Sequence, residues 1–196
     1  MDNCVASHER WIDADGLFVH TLEWNGADGG VREAPPPMLL VHGLGGSTTN
    51  WLSVGPELAA RLRGRVVAVD LAGFGRTRPD GRPASLGTNG RLLEAFARDR
   101  GPFVVMGNSM GGALAVGLAA RHPELVTALV LVNPAVPRPR RNRRNVVRAA
   151  RFAAMGVPQL APSLDTETEY FSGESHWAQV ASSTILSKVC FFFIST

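Results

Sequence analysis

The sequence predicts an α/β fold with a mostly parallel central sheet and helices on both faces. Three observations carry this. Short runs that are apolar throughout, Met38–Val41, Val66–Val69, Phe103–Met106 and Ala128–Val132, alternate with segments of helical periodicity. A strand covered on both faces reads as such a continuous apolar run, and strands alternating with helices form parallel sheets. Glycine-rich turns follow three of these runs: His42-Gly43-Leu44-Gly45-Gly46-Ser47, Asp70-Leu71-Ala72-Gly73-Phe74-Gly75, and Gly107-Asn108-Ser109-Met110-Gly111-Gly112. Ligands of such sheets bind at the carboxyl ends of the strands, so these three turns converge on one mouth.

The elements follow in order. Arg10–Ile12 and Leu17–Trp24 flank Asp15-Gly16, and an Asp-Gly pair between two alternating runs signals a hairpin. Residues 25–37 are rich in Gly, Asp and Pro and read as a loop. Trp51–Arg63 carries helical spacing through Trp51, Val54, Leu58 and Leu62, with Gly64 as the expected cap. Pro79–Gly90 reads as loop and Arg91–Arg98 as a short amphipathic helix with Leu92, Leu93 and Phe96 inward. Ser109–His122 is a helix of Gly, Ala, Leu and Val, suited to close packing, and Asn133-Pro134 stops the last strand.

The stretch Phe103–Ala113 carries the chemistry. A β-branched run, then Gly-x-Ser-x-Gly, then a small-residue helix describes a sharp strand-to-helix turn that lifts the Ser109 hydroxyl to the helix mouth. Gly107 and Gly111 flank the turn because a Cβ there would strike the neighbouring strand and helix. The helix N-terminus adds positive potential beside the hydroxyl. Ser109 is therefore read as a nucleophile.

The three turns together resemble the α/β-hydrolase superfamily over about Trp11–Pro134, and within it the esterases, enol-lactonases and carbon–carbon bond hydrolases. The resemblance implies that Ser109 forms an acyl-enzyme, that the backbone N–H groups of Leu44 and Met110 form the oxyanion hole, and that His42, Gly43, Gly107 and Gly111 support the loop and elbow. Serine at the elbow argues against the dehalogenases and epoxide hydrolases that share the fold. A small apolar ester, lactone or acyl compound is the implied substrate, with no cofactor and no metal.

The triad acid and histidine are not identifiable in the sequence. In this superfamily they follow the serine in the order carboxylate, then histidine. Asp165 and His176 have that order. Their spacing is short for a parallel crossover, which takes at least about 10–12 residues plus the strand. The alternative is an exposed acidic loop with Glu167, Glu169 and Glu174. His42 reads as a turn residue behind the loop, His20 as a strand-face residue, His122 as a helix-end residue, and Asp70 as a residue that holds its own loop.

Three regions are expected: residues 1–134 as the front of the core, 135–181 as a partial lid, and 182–196 as an atypical tail. The chain has 20 basic side chains, of which Lys188 is the single lysine. That lysine lies in the Phe- and Ile-rich tail, a composition expected of a frameshifted or truncated end, or of a divergent one. On this reading the last strands are missing and the Ala128–Val132 strand is an uncovered apolar edge, prone to aggregation.

Other function classes fit less well. The net charge is only +3, and seven arginines sit between Arg138 and Arg151. That basic stripe suits a solvated lid helix better than a nucleic-acid or membrane surface, since no aromatic interleaves with it. Apolar runs fall short of the ~20 residues of a membrane span, and the N-terminus lacks the apolar core of a signal peptide. Two cysteines, Cys4 and Cys190, give neither a metal spacing nor a disulfide framework, so a reducing, cytoplasmic compartment is expected. The competing class is a catalytically incomplete or non-catalytic binding protein of the same fold.

Overall fold

A computed structural model describes residues 5–26 and 34–135 and the strand at 189–192. The described elements are β1 (Ser7–Ala14), β2 (Leu17–Asn25), β3 (Met38–Val41), a 3-10 turn (Thr48–Trp51), α1 (Gly55–Leu62), β4 (Arg65–Val69), α2 (Leu86–Arg100), β5 (Phe103–Asn108), α3 (Met110–Arg121), a second 3-10 turn (Pro123–Leu125), β6 (Val126–Val132) and β7 (Val189–Phe192). They build one sheet in the order β1-β2-β4-β3-β5-β6-β7. The pairs β1/β2 and β2/β4 are antiparallel, and every later pair is parallel.

The apolar strands alternate between two cores. Leu39, Val41, Val67 and Val69 face one, packed with Leu92, Leu93 and Phe96 of α2 and Leu114 and Leu118 of α3. Leu40, Met38, Val66 and Ala68 face the other, with Trp24, Trp51 and Ala59 of α1. Helices therefore cover both faces, and the strands are apolar throughout because neither face meets water. The hairpin turn has Asp15 at φ 56° and Gly16 at φ 71°, the two positive values that a two-residue turn matched to strand twist requires.

Four boundaries differ from expectation. The Trp51–Arg63 helix is two pieces, because Ser47 and Asn50 cap a separate 3-10 turn and Pro56 fixes a fresh start for α1. The left-handed residue that ends α1 is Arg63 (φ 50°), not Gly64. The α2 helix is longer than Arg91–Arg98. It starts at Leu86, capped by the Ser85 hydroxyl on the Thr88 amide, so residues 86–90 are helix and not loop. Gly87, Thr88, Asn89 and Gly90 are poor helix formers, and tertiary contacts override them. β6 starts at Val126.

The sheet edge beyond β6 also differs from expectation. β7, drawn from the atypical tail, pairs in parallel with β6 in the register Leu129↔Val189 to Val132↔Phe192. The β-branched and aromatic composition of Val189–Phe192 suits a strand, and β6 is thus paired on both sides. The expected lid, the arginine stripe, Asp165 and His176 lie outside the described residues.

Candidate active site

β3, β4 and β5 run parallel, and their carboxyl ends deliver His42, Asp70 and Asn108–Ser109 to one end of the sheet. Ser109 sits between the last residue of β5 and the first of α3, with φ 50° and ψ −113°. That backbone conformation is nearly confined to glycine, so a serine there is strained. Four hydrogen bonds hold it. The Ser109 amide donates to the Val132 carbonyl at 3.1 Å, and its own carbonyl accepts from Gly112, Ala113 and Ala135, the last at 2.8 Å. The exit of β6 thus straps the turn in place.

The flanking glycines are required by contact. A Cβ on Gly107 would sit 2.5 Å from the Gly111 carbonyl carbon and 2.6 Å from Gly112 Cα. One on Gly111 would sit 2.5 Å from the His42 carbonyl oxygen and would strike the Val41 carbonyl. Helix α3 therefore lies directly on the end of β3, which its buried Gly111, Gly112, Ala113 and Ala115 allow. Met110 is the first residue of α3, so its N–H is one of the helix amides with no intrahelical acceptor.

The Gly43–Gly46 loop lies against the serine. A Cβ on Gly43 would sit 3.0 Å from Asn108 Oδ1 and 3.3 Å from Ser109 Cβ. His42 orients this loop. Its imidazole is fully buried, and the Leu71 amide donates to Nε2 at 3.1 Å. Nε2 is therefore bare, so Nδ1 carries the proton and donates to the Gly43 carbonyl at 2.7 Å. Burial pushes the His42 pKa below its ordinary value, against the opposing pull of the Gly43 carbonyl and the Asp70 charge. The Gly43 carbonyl also accepts from the Gly46 amide at 3.0 Å. A trans peptide points its C=O and N–H in opposite directions, so the Leu44 N–H is aimed away from His42.

The other described histidines are paired elsewhere or lie far from Ser109. His20 is buried on β2, with Nδ1 2.8 Å from Asp70 Oδ2. Three strand spacings separate β2 from β5, about 14 Å. His122 caps the far end of α3 and pairs with Glu94 at 3.0 Å and Glu124 at 3.4 Å. Glu94 lies below its ordinary pKa: burial alone would raise it, and the Arg98 and His122 contacts outweigh that. His8 is exposed on β1, at the edge of the sheet. Asp70 holds loops, as read from sequence. Its carboxylate accepts from the Thr48 amide at 2.6 Å and the Arg76 amide at 2.8 Å. The His20–Asp70 pair went unforeseen, because the alternation of residue types along Leu17–Trp24 carries no sign of a charged partner from another strand end.

Among the described residues, no group of three or more His, Cys, Asp or Glu side chains is placed to hold a metal ion. No described helix is long and apolar enough to cross a membrane.

The chain belongs to the alpha/beta hydrolase family, whose model matches residues 38–192. It is 35% identical over 133 residues to the 2-hydroxy-6-oxo-6-(2'-aminophenyl)hexa-2,4-dienoic acid hydrolase of Metapseudomonas resinovorans, covering 65% of this chain and 42% of that protein. It is 33% identical over 151 residues to lipase LipV of Mycobacterium tuberculosis (strain ATCC 25618 / H37Rv), covering 74% of this chain and 53% of that one. The crystal structure of a membrane phospholipase A described as a bacterial virulence factor matches with a TM-score of 0.60 at 29% identity, over 94% of this chain and 62% of that one. The chain thus spans about half the length of these two curated relatives.

Proposed function

We propose that this chain is a serine hydrolase working through an acyl-enzyme on Ser109. Ser109 Oγ attacks the carbonyl carbon of an ester, lactone or activated carbon–carbon compound, giving its proton to a base. The bond to the alcohol or carbon leaving group breaks, and that group departs with the proton. Water then releases the acid from the acyl-enzyme and restores the serine. The Leu44 and Met110 amides receive the charge that develops on the carbonyl oxygen. The single observation that carries this reading is the strained Ser109 backbone, φ 50°, with the Gly43 backbone packed against its Cβ. Strain of this kind persists only where surrounding contacts over-determine it, and it clusters at functional sites. A donor at such an oxyanion hole is worth ~10²–10³ in rate. Hydrolase relatives of both carbon–carbon and lipase type support the breadth of the substrate class. A small apolar acyl compound fits that range.

The second reading is a catalytically incomplete chain of the same fold. A specific observation favours it: the four described histidines are committed or distant, so none of them is the base for Ser109. His176 is the histidine outside that set. A fluorophosphonate probe separates the readings. Covalent labelling that disappears in Ser109→Ala supports the hydrolase, and its loss in His176→Ala names the base. A folded sample that takes no label supports the incomplete chain.

A further inference from the structure

Asp70 has no part in the acyl transfer proposed above, yet three segments converge on its carboxylate. Oδ1 accepts from the Thr48 amide, while Oδ2 accepts from the Arg76 amide and meets His20 Nδ1. The side chain is fully buried. A carboxylate so deep is retained only with partners that replace its water. Gly75, at φ 54°, is shaped to this group, since a Cβ there would land on the Asp70 carboxylate.

Thr48 opens the 3-10 turn that directly follows Gly43–Gly46. The loop is closed on itself by the Gly46 N–H bond to the Gly43 carbonyl, and it is pinned from outside at two points. His42 holds its near end through the Gly43 carbonyl, and Asp70 holds its far end through the Thr48 amide. Both pins rest on the end of β4, because His42 is itself fixed by the Leu71 amide. Between the pinned Gly43 carbonyl and Thr48 amide lie two glycines, Gly45 and Gly46, the first at φ 72° with open space around its Cβ position. Glycine loses the most backbone freedom on ordering, so such a loop does not hold a fixed aim unaided. His20 seats the carboxylate through Oδ2, the oxygen that does not face Thr48. It is covered by the Trp11 ring at 5.2 Å, and Arg76 reaches over Trp11 to Glu9 at 2.7 Å.

We propose that Asp70, seated by His20, is a positioning residue that fixes the far end of the Gly43–Gly46 loop and with it the direction of the Leu44 N–H. This rests on the reading of that N–H as an oxyanion donor. Misplacement of a catalytic group by about 1 Å is enough to cost large factors in rate.

The test measures two things on the full chain with Asp70→Asn: amide hydrogen–deuterium exchange, and the rate of fluorophosphonate labelling against probe concentration. Exchange across residues 43–51 is expected to accelerate by at least about tenfold, the factor of one charge-assisted hydrogen bond, with β5 and α3 unchanged. The maximal labelling rate should fall by a similar factor, with the half-saturating probe concentration unchanged. His20→Gln, which disturbs the seat and leaves the carboxylate, should show the same local pattern more weakly, and it decides the matter if Asp70→Asn does not fold. Unchanged exchange at 43–51, or an increase spread evenly over the sheet, overturns the proposal. Wild-type protein that takes no label refutes the hydrolase reading, and exchange alone then decides whether Asp70 pins the loop.

Discussion

Ser109→Gly should stabilise this protein, and Ser109→Ala should not. At φ 50° and ψ −113°, any residue with a Cβ is strained, at a cost of about 1–3 kcal/mol. Glycine relieves that strain but gives back about 0.5–1 kcal/mol, because its unfolded chain has more freedom to lose. The hydroxyl makes no capping bond to α3, so its removal costs little. The four backbone hydrogen bonds of the turn survive in both variants. The net expectation is a gain of about 1 kcal/mol for glycine over alanine, or roughly 2–4 °C in Tm for a chain of this size. Urea unfolding of the wild type and both variants measures it, with the slope unchanged if the denatured state is the same. A glycine variant no more stable than the alanine variant would refute the claim that the elbow stores strain.

Three further outcomes follow from the geometry. Gly111→Ala drives a Cβ into the Val41 and His42 carbonyls, which are backbone and cannot yield, so it should cost more than about 3 kcal/mol and show as loss of a cooperative unfolding transition or of soluble protein. The His42 pKa is lowered in the folded state, so the unfolded chain binds the proton more readily; stability should be intact above pH ~6.5 and decline as pH falls from there through the lowered folded value, where the loss levels off. His42→Gln should flatten that part of a urea-midpoint series between pH 5 and 7.5, and an unchanged slope would count against a buried neutral imidazole. A variant lacking residues 189–196 uncovers the β6 edge and should aggregate faster than the full chain by light scattering, whereas equal behaviour would deny that β7 protects it.

Much of the fold was legible because its elements obey simple rules. Met38–Val41, Val66–Val69 and Phe103–Met106 are apolar on both faces, and Asp15-Gly16 has the turn chemistry of a hairpin. The elbow was legible for the same reason, since Gly107 and Gly111 answer to contacts that local geometry makes unavoidable. What stayed hidden depends on distant partners. The first turn of α2 is built from Gly87, Thr88, Asn89 and Gly90, and it forms because Ser85 caps it and Asn89 anchors it to Ala72 at 2.7 Å. The tail strand was hidden because composition set Val189–Phe192 apart from the body, while pairing with β6 ties it back. His20 met Asp70 across 50 residues of sequence, a distance no periodicity spans.

The central claim is that Ser109 takes an acyl group. The most direct measurement is mass spectrometry of the tryptic peptide Gly101–Arg121 after brief exposure of the full chain to a p-nitrophenyl ester and acid quench. An adduct of the acyl mass on Ser109, absent in Ser109→Ala, is the predicted result. Folded wild-type protein whose peptide carries no adduct, or an adduct that persists in Ser109→Ala, would contradict it.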